Sequence, residues 1–206
     1  VADVDTKSRI LALAIPPAWV DVWICPSEYG HIQATGTDAA GRRQYLYHES
    51  WRKRRDREKF VRSIAFGRAL PSLRKEVSAD LAAKGFPRTR ILAAGVRLLD
   101  IGGFRVGGEE YAEAHETFGV ATLLGQHVKV HGGELWFGYP AKGGIHRSVV
   151  VHDADVAKVV SSLRRSRRPT EDLLAWKEAG IWRDVRAADL NDYIKGVVGD
   201  QFSAKD

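Results

Sequence analysis

The sequence contains no methionine and only one cysteine, Cys25. A single thiol cannot close an internal disulfide, and it excludes zinc sites built from several cysteines. Long apolar runs are also missing. The longest fall far short of the roughly 20 residues that a membrane-spanning helix needs, and no signal-peptide pattern opens the chain. A cytoplasmic or nucleoid-associated protein fits these absences. With no methionine at the start, the first residue is expected to be a processed or trimmed boundary, and the last residue invites the same question. Nucleotide binding has no support: neither "GGFRVGG" nor "GYPAKGG" meets the G-x-x-x-x-G-K-[ST] pattern that cradles phosphates. His127 and His131 stand four apart, but in a predicted strand that spacing is too long for an easy shared ligand. Neither a metal nor another cofactor is expected.

What is present is positive charge, concentrated in one place. The 206 residues are 44% hydrophobic, enough for one large domain or two smaller ones, and carry 32 basic against 26 acidic side chains, +6 in all. Residues 42–62 hold nine Lys/Arg against only Glu49, Asp56 and Glu58, a local surplus as large as that of the entire chain. Clustering of this kind builds a local field suited to a polyanion.

The patterning predicts an α+β chain. Residues 4–15 read as a short helix stopped by Pro16-Pro17. "WVDVWICP", "HIQATGTD" and "RRQYLYH" have strand composition and are separated by turn signals. After the basic run the periodicity becomes helical: 57–70, then 71–85 with Pro71 in its first turn, then 88–103 ended by Gly102-Gly103. "HVKVHGGELWFGYPAKGGIHRSVVVH" predicts three antiparallel strands turning at Gly132-Gly133 and Lys142-Gly143-Gly144. Asp153 is placed to cap a helix striped with Val156, Val159, Val160 and Leu163, and a final helix spans about 187–198. The change from strand to helix pattern at 51–58 divides a β-rich domain, 1–55, from a mainly helical one, 56–206, that contains the three-stranded hairpin sheet.

In "GRRQYLYHESWRKRRDREKF", residues 41–60, strand alternation sends Gln44 and Leu46 one way and Arg43, Tyr45 and Tyr47 the other. Arginine grips phosphate or guanine, glutamine can bond adenine bidentately, and tyrosine can touch base edges or sugars. Together with Arg42, Arg52, Lys53, Arg54 and Arg55, these residues form a credible duplex-DNA surface. The plainer reading is a solvated strand followed by a charged helix. "RRSRR" (164–168) is open in the same way, between phosphate contacts and a solvated helix end.

"PPAWVDVWICPSEYGHIQATGTDAAGRRQYLYHESW" resembles the N-terminal region of the poxvirus-like bacterial type IB DNA topoisomerases, and the likeness extends over nearly the whole chain. It implies that the β-rich domain sits over the major groove as half of a clamp, with Arg43, Gln44, Tyr45 and Tyr47 at the base-contacting surface. "LLDIGGFRVGGEEYAEAHETFGVATLLGQHV" resembles the stretch around the family's first catalytic arginine, which maps onto Arg105. A guanidinium stays charged and offers fixed donors to the oxygens of a pentacoordinate phosphorus. Without the resemblance, Arg105 would be read as a partner of Glu109 or Glu110. Tyr111 matches a position near the same site, where packing is an equal reading.

"LWFGYPAKGGIHRSVVVH" resembles the family's catalytic hairpin, so that Lys142 maps onto the general-acid lysine and His146 onto a structural histidine. Lys142 could otherwise be an ordinary turn lysine, and Pro140-Ala141 departs from the basic residue and glycine that relatives often carry there. In the family a second arginine follows a K-D-x-R string, with a histidine and then the nucleophilic tyrosine after it. The sequence ends at "FSAKD", so these three are expected beyond Asp206; no histidine here is followed by a tyrosine at the family spacing. The resemblance implies a monomeric enzyme that relaxes duplex DNA through a 3′-phosphotyrosine without ATP or metal. A non-catalytic DNA clamp and a tyrosine recombinase are the alternatives, the latter disfavoured by "IPPAWVDVWI" and "GRRQYLYH".

Overall fold

The carboxylate of Asp3 accepts a hydrogen bond from the Thr6 backbone N–H at 2.8 Å and so starts helix α1, Val4–Ala12. The computed structural model describes residues 3–206, apart from the side chains of Tyr111, Glu113 and His115. Its backbone divides into two units, Val1–Ser63 and Ile64–Asp206. The class is α+β, as the patterning predicts. Among the described residues, no helix is long and apolar enough to cross a membrane.

In the first unit, strands β1 (Val20–Ile24), β2 (Ile32–Thr37) and β3 (Arg43–Tyr47) form an antiparallel sheet in that order. Few of its side chains are buried, and the fixed point is polar. Gln33, only 4% exposed, donates its amide hydrogens to the carbonyls of Ser27, Glu28 and Gly30 at 3.2, 3.1 and 2.6 Å. Its oxygen accepts from Arg9 of α1 at 3.0 Å, and the same guanidinium reaches the Cys25 carbonyl at 2.8 Å. A buried amide satisfied this fully holds the helix, the 25–30 loop and the sheet in one register. Gly36 leaves room for Trp19, since a Cβ there would lie 2.6 Å from the indole.

Helix α2 runs from Glu49 to Leu81 as one element, where the sequence predicts two helices starting near 57 and 71. Pro71 has no N–H to give the carbonyl four residues back and disfavours a helix interior by about 3 kcal/mol. Leu73, Val77 and Leu81, all buried, anchor the turns that follow it. Before the proline, side chains 52–65 are exposed, and that stretch relies on spaced charge pairs such as Lys53 with Glu49 at 2.7 Å and Arg54 with Glu58 at 3.0 Å.

The second unit is built around α3, Arg88–Gly102, whose residues 91–96 and Leu98 are buried. Gly103, at φ 57°, ends it in the left-handed conformation that the Gly102-Gly103 signal predicts. Helix α4 (Glu109–His115) follows, and then strands β4 (Val128–His131), β5 (Glu134–Pro140) and β6 (His146–Val151) pair antiparallel. Leu135, Phe137 and Tyr139 of β5 point into the core while Trp136, Gly138 and Pro140 point out. Helix α5 (Ala154–Ser166) is capped by Asp153, whose carboxylate accepts from the N–H groups of Asp155 and Val156 at 3.1 and 3.0 Å. A hairpin absent from the sequence reading, β7 (Ala175–Glu178) with β8 (Ile181–Asp184), precedes α6 (Ala187–Val198).

The 164–168 run is only partly a solvated helix end. The Arg167 side chain is 7% exposed, bonded to Asp184 at 2.6 Å and packed over Trp182, and Arg168 pairs with Glu171 at 2.9 Å. Only Arg164 and Arg165 remain as exposed cations without a carboxylate partner among the described residues. Beside Arg167, burial raises the carboxyl of Asp172 to about 6, assisted by the charge of Asp184 and opposed by Arg167.

Candidate active site and nucleic-acid interface

Past Gly103 the chain tucks Phe104 inward, 6% exposed, edge-on to Phe137 and stacked with Tyr139 at ring distances of 4.9 and 5.8 Å. Anchoring Phe104 leaves the next side chain, Arg105, exposed, and its guanidinium forms no hydrogen bond or ion pair among the described residues. The pairing with Glu109 or Glu110 is not formed. Glu109 instead meets Arg186, next to α6. The Arg105 backbone is tightly held: its carbonyl accepts from Val120 N–H at 2.9 Å, and the Val106 carbonyl accepts from Ala121 N–H at 2.7 Å.

The same 118–121 segment reaches the hairpin, where Phe118 N–H donates to the Pro140 carbonyl at 2.9 Å. Only Gly119 lies between Phe118 and Val120, and only Ala141 between Pro140 and Lys142. Even with every link extended, the α-carbons of 105 and 142 stand no more than roughly 25 Å apart. Arg147 adds a second tie, donating to the Gly102 carbonyl at 2.9 Å and lying over the Phe104 ring at 5.4 Å.

Lys142 sits in the β5–β6 turn closed by Ala141 N–H to Ile145 carbonyl (2.8 Å) and Gly144 N–H to Ala141 carbonyl (3.0 Å). Gly143 and Gly144 have φ of 83° and 73°, which only glycine adopts cheaply, and a Cβ on either would touch nothing. The ammonium is exposed and unpaired among the described residues. His146 pairs with Pro140, its ring 3.6 Å from where a Cβ on Gly138 would stand. It covers that gap from the outer face. The Tyr111 side chain lies outside the described residues.

Tyr139 and Tyr193 are poor nucleophiles as placed. Burial raises both phenols, and Tyr193 also donates to Asp80 at 2.7 Å, which favours its protonated form further. Among the described residues no three His, Cys, Asp or Glu side chains gather as a metal site requires.

In the first unit, Tyr45 stacks with Tyr47 (6.1 Å, 16°), and Tyr47 with Trp51 (4.3 Å, 17°), over which lies the Arg55 guanidinium at 5.6 Å. Tyr45 and Tyr47 therefore share a face, as strand alternation predicts. Gln44 lies on the opposite face of this edge strand, so the residues expected at a DNA surface are not all on one side. Arg43 donates to Thr35 Oγ1 at 2.6 Å and to the Asp21 carbonyl at 3.4 Å. Arg42 and Gln44 both bond Asp38. Lys53 pairs with Glu49, and Arg54 and Arg55 with Glu58; these pairs are exposed, and Arg52 is exposed without a carboxylate partner among the described residues. Sequence reasoning missed Trp51 as part of the stack, and missed Arg147, whose inward register position beside Val149 and Val151 is the one available signal.

Residues 48–206 match the family model for the eukaryotic DNA topoisomerase I catalytic core, and residues 1–38 match that for the bacterial DNA topoisomerase IB N-terminal domain. The chain is also similar to a DNA topoisomerase 1B of Acanthamoeba polyphaga mimivirus, 31% identical over 211 residues. That match covers 99% of this chain and 62% of the viral protein, so the chain spans under two thirds of its relative's length.

The Arg105 segment depends on a backbone crossing. A Cβ on Gly119 would collide with the backbone N of Gly107 and stand 2.6 Å from the Arg105 carbonyl oxygen. Gly119→Ala should part the segments and break the bond from Val120 to Arg105. Hydrogen exchange at the Val120 amide should then accelerate by about tenfold or more, the equivalent of ~1.4 kcal/mol. Unchanged exchange would mean that the crossing does not hold the segment.

Proposed function

Because the chain belongs to the type IB DNA topoisomerase family, we propose that the complete protein relaxes supercoiled DNA by cutting and resealing one strand. The observation that carries the reading is the backbone link from Arg105 through residues 118–120 to the root of the Lys142 hairpin, with both cations exposed and unpaired among the described residues. A tyrosine C-terminal to Asp206 attacks the phosphorus, a 3′-phosphotyrosine bond forms, and the bond to the 5′-oxygen breaks. Arg105 stabilises the charge that builds on the non-bridging oxygens. Lys142 delivers its proton to the departing 5′-oxygen, which is otherwise a poor leaving group. The strand swivels, the 5′-hydroxyl attacks the phosphotyrosine, and the tyrosine leaves. The ester conserves the bond energy, so the chemistry requires neither nucleotide nor metal.

The first unit supplies the clamp surface of this monomeric enzyme. Its edge strand β3 enters the groove edge-on, so that Arg43 and the Tyr45–Tyr47–Trp51 stack on one face and Gln44 on the other all meet it, while Arg52, Lys53, Arg54 and Arg55 follow the phosphates. The pairs of Lys53 with Glu49 and of Arg54 and Arg55 with Glu58 are solvent-exposed and therefore weak, so a phosphate can displace them.

The complete protein should relax supercoiled plasmid in chelator without nucleotide. Lys142→Ala should slow relaxation by roughly 10²- to 10⁴-fold while duplex affinity changes little. A native rate in that variant would remove Lys142 from the reaction, and binding without relaxation by the unaltered protein would reduce it to a non-catalytic clamp. Replacing Arg52, Lys53, Arg54 and Arg55 with Gln should lower the salt slope of duplex binding by roughly 0.9 for each phosphate left unneutralised. An unaltered slope would take the start of α2 off the DNA surface.

A further inference from the structure

The β2–β3 hairpin turns around the carboxylate of Asp38, which is surrounded by donors. One oxygen, Oδ1, accepts from the backbone N–H groups of Ala40 and Arg42, both at 2.9 Å. The other, Oδ2, accepts from Arg42 Nε and from Gln44 Nε2, both at 2.9 Å, and pairs by charge with Arg42 Nη2 at 2.8 Å. The Asp38 side chain is 16% exposed, whereas Arg42 remains 73% exposed. The hydrogen bonds from Arg42, followed by that from Gln44, hold the carboxyl down at about 2. It is thus ionised at any ordinary pH.

An ionised carboxylate has no proton to donate. It can accept only the NH₂ end of the Gln44 amide, which fixes the direction of that amide. Oε1 and one remaining N–H are then unused among the described residues. An acceptor beside a donor is the pattern that matches the major-groove edge of adenine, with N6–H₂ donating and N7 accepting.

We propose that Asp38 is a positioning residue that sets the base preference of the clamp by orienting the amide of Gln44. The proposal rests on the DNA-facing role given to this hairpin above. It assigns specificity to a residue that itself touches no base. Arg42, held by the same oxygen, is aimed by the same contact.

The substitution Asp38→Asn tests the orientation separately from the fold. Asparagine has one oxygen, and the N–H groups of Ala40 and Arg42 require it. Its NH₂ then faces both the Arg42 guanidinium, which is 73% exposed and can swing into solvent, and Gln44, whose amide must turn over to offer Oε1. Gln44 would present donors alone, the complement of guanine O6 and N7.

The 206-residue chain is incubated with duplexes randomised in sequence, and the bound fraction is sequenced for wild type, Gln44→Ala, Asp38→Ala and Asp38→Asn. Wild type should favour adenine at one position by roughly 5- to 150-fold, the range of a bidentate contact. Gln44→Ala and Asp38→Ala should flatten that position, and a chain carrying both substitutions should show no weaker preference than Gln44→Ala alone. Asp38→Asn should move the preference to guanine there, a shift that loss of hairpin stability would not produce. Three results would overturn the assignment: no preference in wild type, a profile indifferent to Gln44→Ala, or full adenine preference retained in Asp38→Asn. Failure of the wild-type chain to bind any duplex would instead overturn the DNA-facing role itself, and this assignment with it.

Discussion

Two backbone segments cross at Gly107 and Gly119 so closely that neither position has room for a side chain. A Cβ on Gly107 would stand 2.9 Å from the Gly119 α-carbon, and φ at Gly107 is 87°. The crossing lets residues 118–121 bond the Arg105 segment on one side and the Pro140 carbonyl on the other. The backbone of Arg105 is therefore fixed by main chain and by the anchoring of Phe104, while its guanidinium is uncommitted among the described residues. A charged group rooted in a fixed segment has less to reorganise as charge develops on a substrate, which is where electrostatic stabilisation is most effective. Lys142 is placed by the opposite means, on a glycine-rich tip with open space around it. An arginine on a fixed segment and a lysine on a glycine-rich tip suit the two proposed roles, since a proton donor must approach its acceptor whereas an anion clamp should wait in place.

The two units are stabilised by different physics. The second has an apolar core around α3, with Leu92, Leu98, Leu135 and Leu163 essentially inaccessible. The first buries few side chains and relies on the saturated amide of Gln33 and the Trp19–Gly36 contact. Polar hubs recur in its hairpin, where Asp38 takes four hydrogen bonds and an ion pair from Arg42. Such a surface is ordered by directional bonds, and its exposed cations stay available to an anionic partner.

Much of this was legible in the residues because it is local. Asp153 caps α5, Gly103 ends α3, and Gly132-Gly133 turns β4 into β5 at φ of 58° and 86°. The missed β7–β8 hairpin turns through Ala179 and Gly180, with Ala179 at φ 49°, a conformation usually left to Gly, Asn or Asp. No turn composition announces it. The single helix across Pro71 escaped detection because burial of Leu73, Val77 and Leu81 overrides the local break. In the site, Arg105 and Lys142 were named only by resemblance. The crossing that relates them joins "RVGG" to "TFGV" through space, and no periodicity encodes it. The Tyr45–Tyr47 stack followed from alternation, whereas the Asp38 contacts, which span a turn, did not.

The claim that the Arg105 guanidinium and the Lys142 ammonium serve one phosphorus in different capacities is tested most directly by changing the leaving atom. A duplex with sulfur in place of the bridging 5′-oxygen at the cleaved phosphate releases a thiolate, which needs no proton because a thiol ionises near pH 8.5 or so. In the complete protein, Lys142→Ala should cleave this substrate at close to the wild-type rate, while Arg105→Ala stays slow on both substrates. Equal impairment of Lys142→Ala on sulfur and oxygen, or recovery of Arg105→Ala on sulfur, would contradict the account.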